Sequence, residues 1–169
     1  MILFASDLHL SPRSPGAAAL FIRFLAGRAR QAEALYILGD LFEAWIGDDD
    51  SGDPFNAQVV AALRAASDAG LTISVMHGNR DFLLGDDFAT AAGVTLLPDP
   101  HVLSTPEWQF VLAHGDALCL DDSTYMAFRA QVRNPAWQAA LLAKPLGERR
   151  AIAAHMREVS ESSQRDKDN

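Results

Sequence analysis

Leu71-Thr72-Ile73-Ser74-Val75-Met76-His77-Gly78-Asn79-Arg80-Asp81 is the stretch on which the fold turns. Its first six residues are mostly apolar and β-branched, the composition of a buried strand. Gly78 lets the backbone turn tightly. Asn79 and Arg80 then stand at the carboxyl end of that strand, where open α/β sheets keep their sites. An amide oxygen can ligate a hard or borderline cation, and an Arg fork beside it can hold a phosphate. Taken alone, such a tetrapeptide more often serves as an ordinary turn capped by Asn and Asp. The neighbouring strands decide between the two.

Towards the N-terminus, Met1 to Ala5 is a short apolar run that leads into Ser6-Asp7-Leu8-His9-Leu10. In an extended segment residues two apart point the same way. Asp7 and His9 are therefore expected to reach one ion together while Leu8 and Leu10 face the core. Ala17 to Ala32 carries Leu20, Phe21, Phe24 and Leu25 at helical spacing and reads as an amphipathic helix. Ala34 to Leu38 is a second strand, followed by Gly39-Asp40. The acidic run Asp48-Asp49-Asp50-Ser51-Gly52-Asp53 lacks the twelve-residue calcium pattern and its closing Glu, so a solvated loop is expected. Ala57 to Ala69 reads as a helix closed by Gly70.

Beyond the central strand, Phe88 to Ala92 is a short helix stopped by Gly93. Val94 to Leu97 and Val102 to Leu103 are short strands, and Gln109 to Ala113 is a further strand ending in His114-Gly115-Asp116. Asp7, Asp40, Asn79 and His114 lie 33, 39 and 35 residues apart. Roughly 30 residues is the length of one strand-helix-strand unit. Ligand-type residues thus recur at four strand ends, and parallel strands with right-handed crossovers would bring all four to one edge of one sheet. The expected class is α/β.

The 169 residues are 49% hydrophobic, enough for one domain with a real core. Net charge is −8, which argues against a general nucleic-acid binder. Residues 1–120 hold 6 basic and 15 acidic side chains, a net of −9, whereas residues 121–169 hold 8 basic and 7 acidic, a net of +1. The acidic part suits cation binding. The single cysteine, Cys119, rules out a disulfide within the chain, fits a reducing cytoplasm, and is expected to be a small buried hydrophobe. The N-terminus shows no signal-peptide pattern, and no apolar run approaches the ~18 residues of a membrane span.

From Asp122 onward the pattern is helical, with Tyr125, Phe128, Val132, Trp137, Leu141, Leu142, Ile152 and Met156 interleaved with Arg129, Arg133, Arg149, Arg150 and Arg157. A helical hairpin packed on the core explains the apolar spacing. The aromatic and basic content leaves room for a lid over an amphiphilic, anionic ligand. The expected organisation is a core over residues 1–120 and a helical, substrate-capping segment over 121–169. Phe82, Leu83 and Leu84 would form the wall opposite that lid, and Trp45 stays open between wall and core.

Asp7, His9, Asp40, Asn79 and His114 around one point make the donor set of a two-metal site. Oxygen and imidazole donors without thiolate favour Mn, Fe or Zn in a reactive rather than a structural role. A carboxylate has two oxygens, so Asp40 can bridge two ions, and such a pair suits phosphoryl displacement. Asp7-Leu8-His9, Gly39-Asp40, Gly78-Asn79 and Ala113-His114-Gly115-Asp116, in this order, resemble the calcineurin-like metallophosphoesterase superfamily. Within it, Ser6 to Leu10, Leu35 to Asp50, His77 to Leu84, Leu96-Leu97-Pro98 and Asp121-Asp122 with Tyr125 and Phe128 resemble the bacterial UDP-2,3-diacylglucosamine hydrolase family.

The resemblance implies an αββα sandwich, incomplete here, with an inserted helical lid. It implies cleavage of the pyrophosphate of UDP-2,3-diacylglucosamine to UMP and 2,3-diacylglucosamine 1-phosphate in lipid A biosynthesis, at the cytoplasmic face of the inner membrane, with two Mn ions. Asp7 and His9 would bind the first metal, Asp40 would bridge, and Asn79 and His114 would bind the second. Asn79, Arg80, Asp122, Ser160, Gln164 and Lys167 would contact substrate, Gln164 standing where the family has Asn.

Arg80 replaces the His that many superfamily members carry after Gly-Asn. A guanidinium cannot give up a proton near neutral pH. An alkoxide leaving group would want that acid. A phosphate leaving group, with a second pKa of about 6, would not. The family's Gly-His-x-His motif is absent, so the chain is expected to be a truncated member, weak in its own activity and short of one ligand per metal. Another dinuclear metallophosphoesterase acting on nucleotides or phosphoproteins, and a non-catalytic scaffold, stay open as alternatives.

Overall fold

The computed structural model describes residues 1–167, with side chains described through residue 158. Four strands, β1 (Ile2–Ala5), β2 (Ala34–Leu38), β3 (Thr72–Met76) and β4 (Thr95–Leu97), form a parallel sheet in sequence order. Leu35, Ile37, Ile73 and Val75 alternate onto one face and are almost entirely buried. Helices α1 (Pro15–Ala26), α2 (Pro54–Asp68) and α3 (Asp86–Ala92) cover that face with Phe21, Leu25, Val59, Leu63 and Phe88. Each such side chain contributes about 1.5–3 kcal/mol by leaving water. The α/β class read from the sequence is the class observed.

Several details differ from expectation. The helix read over Ala17 to Ala32 begins at Pro15 and ends at Ala26, because Gly27 leaves helical geometry at φ −115°, ψ −97°, and a separate 3-10 turn follows at Arg28–Gln31. The last strand, β6 (Gln109–Leu112), is not part of the parallel sheet. It pairs antiparallel with β5 (His101–Ser104) in a separate two-stranded sheet. The physical reason is loop length. Thr105 to Trp108 closes a hairpin, with the Thr105 amide on the Trp108 carbonyl at 2.8 Å, whereas a parallel return needs a dozen residues or more. The acidic run is also not a solvated loop. Asp48 accepts from the Trp45 indole (2.9 Å) and from the amides of Gly85 and Phe88 (3.0 Å each), and Asp53 caps α2 through Phe55.

Residues past Asp122 form α4 (Ser123–Val132), α5 (Pro135–Leu142) and α6 (Leu146–Lys167). Asp122 and Asn134 cap α4 and α5 by accepting from following amides. Val132 and Leu141 are buried, and Phe128, Trp137 and Ile152 pack against the core. Trp137 meets Phe82 at 6.1 Å between ring centres. Trp45, open between two roles, packs on Phe42 and Phe88 and is 2% exposed. Cys119 is exposed rather than buried. It lies between Leu118 and Leu120 at the end of a 3-10 turn that leaves all three side chains outside the core.

Candidate metal centre

β1 and β2 keep pairing past their ends. The Asp7 amide donates to the Gly39 carbonyl, His9 to Asp40 and Leu10 to Leu41, at 3.2, 2.9 and 3.0 Å. Asp7, His9 and Asp40 all lie in the left-handed region, with φ of 53°, 46° and 53°. The segment after β1 is therefore kinked twice, not extended. Leu10 still reaches the core, but left-handed turns rather than strand alternation aim Asp7 and His9. Gly39 (φ 94°) permits the matching turn after β2, where a Cβ would run into the His114 ring.

Asp81 organises these loops, beyond the turn-capping role that the sequence reading gives it. Wholly buried, its carboxylate accepts from four backbone amides: Gly78 (2.8 Å) and Asp40 (3.3 Å) on one oxygen, Leu41 (2.7 Å) and Phe42 (3.2 Å) on the other. It thereby ties the end of β3 to the end of β2. Burial, and next the Asp40 charge, push its pKa above the ordinary range, against the pull of those amides. The signal available in the sequence is the Asp closing the turn after Gly78.

Asp40 is 2% exposed. Its Oδ1 accepts from the Arg80 amide at 2.9 Å, and its Oδ2 stands 3.6 Å from His9 Nε2 and 3.8 Å from His114 Nε2. Burial raises the Asp40 pKa, with Asp7 adding to the rise and the Arg80 amide, His114 and His9 opposing it. Asp7, Asp40 and His114 each offer a ligand atom within 4.8 Å of the others.

His114 donates Nδ1–H to the Leu38 carbonyl at 2.9 Å, because that carbonyl can only accept. Nε2 then presents a lone pair to the Asn79 Oδ1, 3.1 Å away. Two acceptors that close repel unless a proton or cation stands between them. His9 Nδ1 stands 3.1 Å from the Glu43 carboxylate, an ion-pair contact without hydrogen-bond geometry, and its Nε2 lies towards Asp40. Carbonyl or carboxylate support of this kind is how metal-ligating histidines are oriented. The donor set fits a cation on these grounds. Glu43, absent from the sequence-based candidates, also reaches the Arg80 guanidinium at 3.8 Å.

Asp7, His9, Asp40, Asn79 and Arg80 line one side of a cavity of about 1360 Å³. Phe82, Leu83, Phe128, Leu141 and Met156 give it an apolar side, and Asp122 lines it from the cap of α4. The side chains of Ser160, Gln164 and Lys167 lie outside the described residues. Most of the arginines expected to face an anionic ligand are bound internally. Arg129 pairs with Asp116 (3.0 Å) and Asp99 (3.5 Å), Arg150 with Asp50 (2.5 Å), and Arg149 with Asp49 and the carbonyls of Ile46 and Lys144. Burial raises the pKa of Asp116, but hydrogen bonds from Arg129 and Tyr125 outweigh it and hold the carboxyl below its usual range.

No family model matches the chain. Over 161 residues, 95% of this chain and 67% of the relative, it is 53% identical to the UDP-2,3-diacylglucosamine hydrolase of Escherichia coli O81 (strain ED1a). Identity and coverage are the same for the protein of that name from Shigella boydii serotype 18. Among solved structures, the Pseudomonas putida nuclease MPE matches with a TM-score of 0.46 and 23% identity, over 60% of this chain and 49% of that one. Among the described residues no helix is long and apolar enough to cross a membrane.

Proposed function

The chain belongs to the UDP-2,3-diacylglucosamine hydrolase family, and from that premise we propose that the protein hydrolyses the pyrophosphate bond of UDP-2,3-diacylglucosamine. The products are UMP and 2,3-diacylglucosamine 1-phosphate, and the work is done beside the inner membrane that supplies the lipid. Two Mn ions would be held by Asp7 and His9 on one side and Asn79 and His114 on the other, with Asp40 between. When bound, such a pair supplies positive charge to an in-line displacement at phosphorus and lowers the pKa of the attacking water. The observation that carries the reading is that Asp40 Oδ2 stands 3.6 Å from His9 Nε2 and 3.8 Å from His114 Nε2, with Asp40 and His9 lining a partly apolar cavity.

The remaining roles belong to the chain's own residues. Arg80, permanently charged, holds a substrate phosphate at the mouth of the cavity and donates no proton. That suits a phosphate leaving group. The 121–169 segment acts as a lid whose Phe128, Leu141 and Met156 accept acyl chains, each buried CH₂ being worth about 0.8 kcal/mol. Asp122, Ser160, Gln164 and Lys167 complete the substrate contacts.

The test uses the full-length protein, stripped by chelator and reloaded with Mn, Mg or Zn. Mn should restore hydrolysis best, and Asp40→Ala should lose nearly all of kcat. An Ala variant that kept a tenth of wild-type kcat would refute the bridging role. Phe128→Asp should impair only acylated substrate. Equal kcat/KM for UDP-glucosamine with and without acyl chains would refute the lid.

A further inference from the structure

Arg133 sits at the C-terminal cap of α4, away from the cavity lining, yet its guanidinium reaches into the backbone of the candidate site. Its Nη2 donates to two successive carbonyls, His77 at 3.2 Å and Gly78 at 3.1 Å, and stands 3.7 Å from the Asp116 carboxylate. The first two belong to the loop that carries Asn79. The third lies two residues beyond His114. We propose that Arg133 is a positioning residue, which locks the Asn79 loop to the His114 loop and so sets the spacing of the donors for one of the two ions.

The polarity of the loop supports this. Past the end of β3 the peptide groups lose their sheet partners and need others. The amides turn inwards, Gly78 to Asp81 at 2.8 Å and Arg80 to Asp40 at 2.9 Å. The carbonyls of His77 and Gly78 accept from Arg133, and that of Arg80 accepts from the Trp45 amide at 3.3 Å. The loop is therefore pinned by buried carboxylates on its donors and by one guanidinium on its first two acceptors. Asp116 is in turn held by Arg129 Nε at 3.0 Å and the Tyr125 hydroxyl at 3.0 Å, so α4 grips the His114 loop along its length. The separation fixed by this arrangement is the 3.1 Å between Asn79 Oδ1 and His114 Nε2. All three contacts run through Nη2, and a lysine ammonium, a point charge on a flexible stem, would meet them with less preorganisation.

The inference rests on the two-ion reading above, and the experiment separates them. Full-length wild type, Arg133→Met and Arg133→Lys are titrated with Mn chloride by calorimetry, and their metal-free melting is recorded. The expected result is two Mn in wild type and, in Arg133→Met, one ion weakened about 10- to 100-fold, the range typical of supports behind a metal ligand. The other ion keeps its affinity, the metal-free melting temperature stays near wild type, and kcat falls more than KM rises. Arg133→Lys should fall between. A role confined to anchoring α4 would instead lower metal-free melting and leave both affinities alone, which overturns the proposal. If Arg133→Met does not fold, Arg133→Lys and Asp116→Asn carry the test, and wild-type affinities for both ions in those variants overturn it. Wild type that binds no Mn overturns the two-ion reading and this inference with it.

Discussion

A Cβ built on Gly78 would overlap the Asp40 carboxylate and amide. Gly78→Ala must therefore push Asp40 away from His9 and His114, and a misplacement of about 1 Å can lower a rate some 100-fold. The expected outcome is a loss of that order in kcat/KM of the full-length protein, with circular dichroism near wild type. Asp81 makes a different demand, on stability. An Asn there presents one oxygen where two carboxylate oxygens now serve four amides, and its NH₂ faces donors. Leaving buried amides unpaired costs about 1–3 kcal/mol each. Asp81→Asn should show at least that loss in urea denaturation, whether or not metal is present.

Among the elements, α6 is anchored through Arg149, beside the Arg150–Asp50 pair and the packing of Ile152 on the core. Arg149, 4% exposed, donates to the Ile46 and Lys144 carbonyls and pairs with Asp49. Its guanidinium, more than any other group, lowers the Asp49 pKa. A depressed folded pKa means that the ionic contribution is complete above the unfolded value, about 3.9, and disappears as pH falls through the lower folded value. The Asp49 side chain is 56% exposed, so salt screens the pair. The protection factors of α6 amides, taken relative to the intrinsic exchange rate at each pH, should be unchanged from pH 7 to about 5 and should fall below about pH 4. Arg149→Met should show fast exchange throughout. How far the elements are legible beforehand follows the same physics. β2 and β3 declare themselves because each is a short, mostly apolar run that stops at a glycine turn, at Gly39 and Gly78. The near-even spacing of Asp7, Asp40, Asn79 and His114 suggests a single sheet, although the short segment Thr105 to Trp108 already forbids a parallel return. The left-handed turns at Asp7, His9 and Asp40 leave no pattern, because they arise from pairing between distant loops. The pairing of Arg149 with Asp49, a hundred positions apart, leaves none either.

For the molecule as a whole, acidic groups outnumber basic ones by eight, and two of the carboxylates, Asp7 and Asp40, stand together at the candidate centre. A cation there binds the folded state alone, which adds about 2.7 kcal/mol at a hundredfold excess over Kd. For a chain of this size the melting temperature should rise by roughly 5–10 °C. Differential scanning with Mn and then with chelator checks this, and an unchanged melting point would refute a cation site here. The three left-handed residues bear on a different matter. A non-glycine residue in that region gives up about 1–2 kcal/mol, so glycine at Asp7 or His9 should make the metal-free protein more stable while emptying the site of a donor. Selection for abundance and selection for chemistry then pull on the same codons in opposite directions. A lineage released from its reaction should lose these residues first, long before its core begins to change.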